Sequence, residues 1–298
     1  MQTAALDLAR QTQGAPELFS YGAIELQVTN PDRATTFWTD NLGLVVRDQH
    51  DGVALGTQQQ TLVVLRAGAQ IPAQGGHTGL YHVAIGVPDQ GEFSRLLTRL
   101  LYRRVRISLV DHLMSKAIYL QDPDGIGIEI AFETPERFGR FGTSTNKFEL
   151  FDAYGNPHSA REPLHAGHEL SLRKGDIDRP IADGATIAHL HFTVADLQAA
   201  IEFYAGLGFA PNLHLPQMGF ADLGAGGSYT HRIALNTWQG TDIPPAPTKS
   251  ARLTGYTLRA VEPRLVAQAA TLSGADILPD GIQMIDPSGT SFTIVTAP

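Results

Sequence analysis

Eleven histidines and not one cysteine set the chemistry open to this chain. Without thiolates there is no disulfide, thiolate zinc site, iron–sulfur cluster or cysteine nucleophile. Any metal must be held by His, Asp or Glu, and proton transfer near neutral pH falls most naturally to imidazole. Three of the histidines stand in short apolar runs that read as strands, His82 in His82-Val-Ala-Ile-Gly-Val87, and His189 with His191 in His189-Leu-His-Phe-Thr-Val194. Glu129 lies in another, Ile126-Gly-Ile-Glu-Ile-Ala-Phe132, where an unpaired carboxylate would be costly to bury. Strand alternation places His82 on one face with Ala84 and Gly86, and Glu129 with Gly127 and Ala131, while Ile126, Ile128, Ile130 and Phe132 face the other way. A face of small residues around a polar one suits a cavity. His189 and His191 share a face, so either could project inward.

The elements that must position these side chains form a repeat. A strand ending in Val, a polar helix start and an amphipathic helix recur at four places, opening at Ala23–Val28, His82–Val87, His189–Val194 and, more weakly, Tyr256–Val261. The first helix carries Ala34, Phe37 and Trp38 and stops near Leu42-Gly43; the third carries Ala199, Ala200, Phe203 and Tyr204 and stops at Leu207-Gly208. Short alternating segments follow, broken by turns such as Asp122-Pro-Asp-Gly125 and Asp286-Pro-Ser-Gly289, and read as hairpins. The unit is βαβββ, and the fold class expected is α+β, four such units paired into two incomplete barrels.

With Asp122-Pro-Asp-Gly-Ile-Gly-Ile-Glu129 near the end of a unit, the fourfold pattern resembles the vicinal oxygen chelate superfamily of glyoxalases, bleomycin-resistance proteins and extradiol dioxygenases. The resemblance covers about Tyr21 to Thr134 and Ala185 to Ala297. Gly79-Leu-Tyr-His82, Asp111-His-Leu-Met-Ser115, Ala117 to Gly125 with Ile128-Glu129-Ile130, and Ile233 to Trp238 are similar, more particularly, to two-domain bacterial catechol 2,3-dioxygenases. In that superfamily the metal is held by side chains of the first and last strands of each unit, which makes those positions the ones to inspect.

Counting five residues back from the terminal Val of each opening strand gives Ala23, His82, His189 and Tyr256. Counting four on from each turn glycine gives Glu129, His231 and Thr293, while the first unit closes with Thr61–Arg66 and offers no ligand. The count favours His189 over His191 and yields His82, His189 and Glu129. Two histidines and a carboxylate form the facial triad typical of non-haem iron(II) oxygen chemistry, since three positions stay open. The resemblance implies iron(II) as cofactor, with manganese(II) as the alternative, and an aromatic diol plus O2 as partners. It further implies that His231 acts as the acid–base residue for the second diol hydroxyl, that Tyr119 hydrogen-bonds the ligated substrate oxygen, and that His112 donates at the rim.

The ligand residues fall in units two and three, in the reverse of the order usual in extradiol enzymes. Neighbour pairing would leave each barrel with part of a triad, so units two and three are expected to meet in the metal-bearing barrel and units one and four in a metal-free one. The competing arrangement has Glu25 completing a degenerate site with His82 and Glu129. By chain order the domains read as 19–136, with units 19–66 and 79–136; a connection, 137–185, rich in Gly, Pro, His and charge; and 186–298, with units 186–238 and 252–298. His158, His165 and His168 in the connection read as surface groups, and Asn236 and Trp238 as turn and packing residues.

A formal net charge of −8 argues against a nucleic-acid surface. Met1 to Leu18 has no apolar core of signal-peptide length and no run of about eighteen apolar residues occurs, so a cytoplasmic protein without a membrane partner is expected. Assembly into a homo-oligomer stays open. Two rival functions share the fold: a glyoxalase-like isomerase or lyase, in which His231 would be a fourth ligand, and a metal-free binding protein of the bleomycin-resistance kind. Tyr119 and His112, and His231 as an acid–base group, have roles only in the dioxygenase.

Overall fold

The computed structural model describes residues 16–144 and 147–297; the expectation about a signal segment concerns mostly residues that lie outside these. Unit one runs β1 (Phe19–Val28), α1 (Pro31–Leu42), β2 (Val45–Asp48), β3 (Val53–Gly56), β4 (Thr61–Ala67). Unit two runs β5 (Gly79–Gly86), α2 (Gln90–Tyr102), β6 (Ser108–Asp111), β7 (Ser115–Gln121), β8 (Gly127–Glu133). The connection is structured, with β9 (Phe138–Ser144), β10 (Lys147–Asp152), β11 (Pro157–His158), β12 (Glu162–Pro163) and α3 (Ala166–Ser171). Unit three follows as β13 (Thr186–Thr193), α4 (Leu197–Leu207), β14 (Ala210–Leu215), β15 (Phe220–Gly224), β16 (Ile233–Asn236), and unit four as β17 (Arg252–Ala260), α5 (Pro263–Ala269), β18 (Asp276–Leu278), β19 (Gly281–Ile285), β20 (Ser291–Thr296).

Helices start where side chains can cap them. Asn30, Asp89 and Asp196 each accept a hydrogen bond from the backbone three residues on, satisfying one of the orphan N–H groups of the first turn. Two turn aspartates close hairpins in the same way. Asp122 Oδ1 accepts from the backbone of Asp124 and Ile126, and Asp286 Oδ1 from Ser288 and Thr290, with Gly125 and Gly289 supplying the left-handed backbone at φ 82° and 83°.

The units join crosswise. One eight-stranded sheet has the order β18-β19-β20-β17-β1-β4-β3-β2, uniting units four and one; a nine-stranded sheet has the order β12-β6-β7-β8-β5-β13-β16-β15-β14, uniting units two and three. The seam in each is an antiparallel pair of opening strands, β1 with β17 and β5 with β13. Beyond the seam each opening strand runs parallel to its own unit's closing strand. The sheets' facing sides share the main apolar core, in which Ile24, Leu26, Val83, Ile85, Leu190, Phe192, Tyr256 and Leu258 are all buried. The joints between units one and two and between units three and four touch each other at Ile71–Ser250 and Thr78–Pro245.

Tyr256 departs from the register count. Burial alternates regularly through Tyr256, Leu258 and Ala260, and Val261 is exposed just past the end of β17, so Tyr256 faces the core, where its ring stacks on Phe292 at 4.9 Å. A one-residue offset exchanges the two faces of a strand, and the count started from Val261 although Ala260 holds the buried place that Val28, Val87 and Val194 have in the other opening strands.

Candidate metal centre

On the face of the nine-stranded sheet that points away from the core, β5, β8 and β13 carry one polar side chain each to a common point. His82 and His189 come from the two strands of the seam, and Glu129 stands on β8 opposite Ala84. Their neighbours are small: Ala84, Ala131 and Ala188 pack as a separate apolar cluster outside the main core. Gly127 is needed where it stands, since a Cβ there would come within 2.3 Å of the Tyr81 carbonyl oxygen and 3.0 Å of His82 Cβ.

The three ligand atoms form a tight triangle. Glu129 Oε2 lies 3.0 Å from His82 Nε2 and 3.4 Å from His189 Nε2, and the two nitrogens are 3.2 Å apart. All three side chains are buried, and among the described residues this is the one cluster of His, Asp and Glu able to hold a metal ion. Three ligands on one face of an octahedron, at bonds of about 2.1 Å, stand about 3 Å apart. Two lone pairs and a carboxylate aimed at one another are poorly served by a proton but well served by a divalent cation, so the donor set fits a metal. Its protonation fits as well. Burial pushes the His189 imidazole down to about 3, leaving it neutral; burial opposes ionisation of Glu129, but His189 and His82 hold its carboxyl well below the usual range.

The other expected site residues surround the triangle. Tyr119 faces Glu129 across the β7–β8 pair, and its hydroxyl is 2.9 Å from His112 Nε2. Burial first, then the Glu129 charge, keep the Tyr119 phenol well above its ordinary value, so it stays a donor. His112 Nδ1 donates to the Ala160 carbonyl at 2.7 Å, and burial lowers its pKa, leaving Nε2 unprotonated in that tautomer to accept from Tyr119. Leu113 beside it and Ala160 opposite both have positive φ, 69° and 64°, a strained conformation for side-chain-bearing residues held at the site. His231 precedes β16 rather than sitting within it, with its ring 4.6 Å from that of His189. Its Nδ1 is 2.7 Å from Asp222 Oδ2, which fixes the ring and directs Nε2 away from the carboxylate.

Several participants were not legible in the sequence. Asp222 lies on hairpin strand β15, where it also accepts from Asn212 and the Leu213 backbone. Tyr229 is buried against His231, with its phenol pushed up by burial, then by Glu133 and Glu129. Asn236, read as a turn residue, is buried in β16 and binds His191 Nε2 at 2.9 Å; this partner holds the second histidine of β13 outside the triangle, although its ring is 4.8 Å from that of His82. His158, read as a surface group, is nearly buried: its Nδ1 accepts from the Ala160 backbone and its Nε2 is 3.6 Å from Asp111. The connection therefore folds over His112, which its polar composition did not reveal. Glu25 is in the other sheet, bound to Arg66 at 2.8 Å, and completes nothing here.

Residues 20–130 match the Glyoxalase/Bleomycin resistance protein/Dioxygenase superfamily. A protein of Bacillus subtilis (strain 168) named catechol-2,3-dioxygenase is 31% identical over 248 residues, 80% of this chain and 81% of that one. The chain belongs to this superfamily. The fold is shared more widely within it: a candidate dioxygenase from Bacillus subtilis subsp. subtilis str. 168 aligns over 95% of this chain and 87% of its own at a TM-score of 0.59 and 15% identity. Glyoxalase I from Zea mays aligns over 97% and 95% at a TM-score of 0.54 and 16% identity. No helix among the described residues is long and apolar enough to cross a membrane.

Proposed function

We propose that this member of the glyoxalase and dioxygenase superfamily is an extradiol dioxygenase, opening the ring of a catechol-type diol with O2 at iron(II) held by His82, His189 and Glu129. Manganese(II) is the alternative ion, and the relative named catechol-2,3-dioxygenase supports a dioxygenase-like metalloenzyme. The observation that carries the reading is the pairing of His231 with Asp222: an imidazole oriented by a carboxylate at Nδ1 is built for proton transfer at Nε2, and the triangle is left with three protein ligands. The bound ion would supply a chelating site for diol and O2 together.

The chain's own groups do the rest. His231 Nε2 takes the proton of one diol hydroxyl and returns it later, Asp222 holding the tautomer throughout. Tyr119 fixes the substrate oxygen that stands near Glu129 by turning its one hydroxyl proton from His112 Nε2 to that oxygen, and until then His112 holds the hydroxyl in place. All three ligands are buried, so their attraction for the ion is little screened by solvent.

The test separates ligand from proton-transfer group. His82→Ala, His189→Ala and Glu129→Ala lose the metal, measured as metal per chain after anaerobic purification. His231→Ala keeps about one metal per chain and loses roughly 10²- to 10⁴-fold in turnover of catechol. Loss of the metal from His231→Ala would make His231 a fourth ligand and favour the isomerase.

A further inference from the structure

A cavity of about 280 Å³ lies where the two sheets' turns and the inter-unit joints meet. None of the triad residues lines it, and no Asp or Glu does, in a chain with 30 acidic residues against 22 basic ones. Its one permanently charged lining residue is Arg252, the first residue of β17. The Arg252 Nε atom is buried and has no hydrogen-bond partner, and among the described residues the guanidinium has no ion pair. This sets it apart from the other arginines that come inward: Arg95 is held by Glu92, Arg232 by Glu17 and Glu133, and Arg99 by backbone carbonyls. A buried donor left without a partner costs about 1–3 kcal/mol, more for a charged group, and such groups call for an explanation.

The walls specify the rest of the ligand. Leu80, Tyr81, Ile126 and Leu253 give apolar surface beside the guanidinium, and Thr193 and Thr290 add polar edges. From these features we infer that the cavity is a binding site for a small organic carboxylate: the anion takes the planar donor fork of Arg252 bidentately, and the hydrocarbon part lies on the apolar wall. Thr193 also ties the cavity to the catalytic face, since its hydroxyl donates to Asn236, which binds His191 beside His82. The inference does not rest on the dioxygenase reading.

The probe is benzoate, titrated calorimetrically into the metal-loaded protein, with inorganic phosphate as comparator. The expected result is one site per chain, weakened at least tenfold by Arg252→Gln, partly kept by Arg252→Lys, and unchanged by His189→Ala. Ala246→Phe, which fills the cavity without touching the charge, also removes binding and serves if Arg252→Gln fails to fold. No benzoate binding by the wild type overturns the assignment, as does binding that survives Arg252→Gln and Ala246→Phe but is lost in His189→Ala, which would place the probe on the metal. Phosphate binding as tight as benzoate would show a plain anion site and overturn the organic part.

Discussion

The two large sheets are built from the same repeat and joined by the same seam, yet the faces they turn from the core differ in kind. In the sheet of units one and four that face is half-exposed and carries Glu25 paired with Arg66, each about a third exposed or more. In the sheet of units two and three it is buried and carries His82, Glu129 and His189. A solvated ion pair is worth about 0–1 kcal/mol and asks nothing of its surroundings. A carboxylate and two imidazoles buried together are expensive unless something compensates, and the compensation here fits a cation. Burial of the same kind of face thus distinguishes a site from a surface.

The largest contrast expected is between the two glutamates. Glu129→Ala abolishes metal retention and lowers oxygen-dependent turnover by about 10³-fold or more, as expected when transition-state stabilisation is removed outright. Glu25→Ala leaves both within about twofold and changes stability by no more than about 1 kcal/mol in a denaturant titration. Equal effects of the two would dissolve the distinction between the faces.

A middle-sized effect concerns orientation rather than ligation. Asp222→Asn preserves the metal but frees the His231 ring and its tautomer, and turnover should fall roughly tenfold or more with KM nearly unchanged. If KM rises instead while kcat holds, His231 serves binding and not proton transfer.

The smallest effect is one the sheets should share, because each has the same turn. Burial pushes the Asp122 carboxyl up to about 6 against the backbone N–H groups of Ile126 and Asp124 that favour its charge, and burial raises Asp286 likewise. A folded pKa above the unfolded one means the native state binds the extra proton. For Asp122 that stability is fully present below about pH 4 and is lost as pH rises through about 6, and Asp286 changes in the same direction. Thermal melts of Asp122→Asn and Asp286→Asn should therefore gain on the wild type as pH goes from 4 to 7. A constant difference over that range would show the carboxyls are not strained by burial.

Much of this contrast was readable from spacing. Regular Val-ended strands with capped helices fixed the repeat, and the presence of ligand-type residues in units two and three alone, with the ligand order reversed, required a crosswise pairing that the β5–β13 seam displays. What escaped depends on contacts made far along the chain or on where a strand ends. Asp222 and Tyr229 occupy hairpin positions without a repeat signature, His158 is buried only because the connection folds back onto Asp111, and Tyr256 faces the core because the buried end of β17 is Ala260 and not Val261.

The central claim is that the buried face of units two and three is an oxygen-using site, and oxygen uptake tests it most directly. Protein purified without air and loaded with iron(II) to about one ion per chain should consume O2 when given a catechol, mole for mole with a yellow ring-opened product. No uptake with simple, alkyl- or chloro-catechols by protein carrying its full complement of iron would contradict the account.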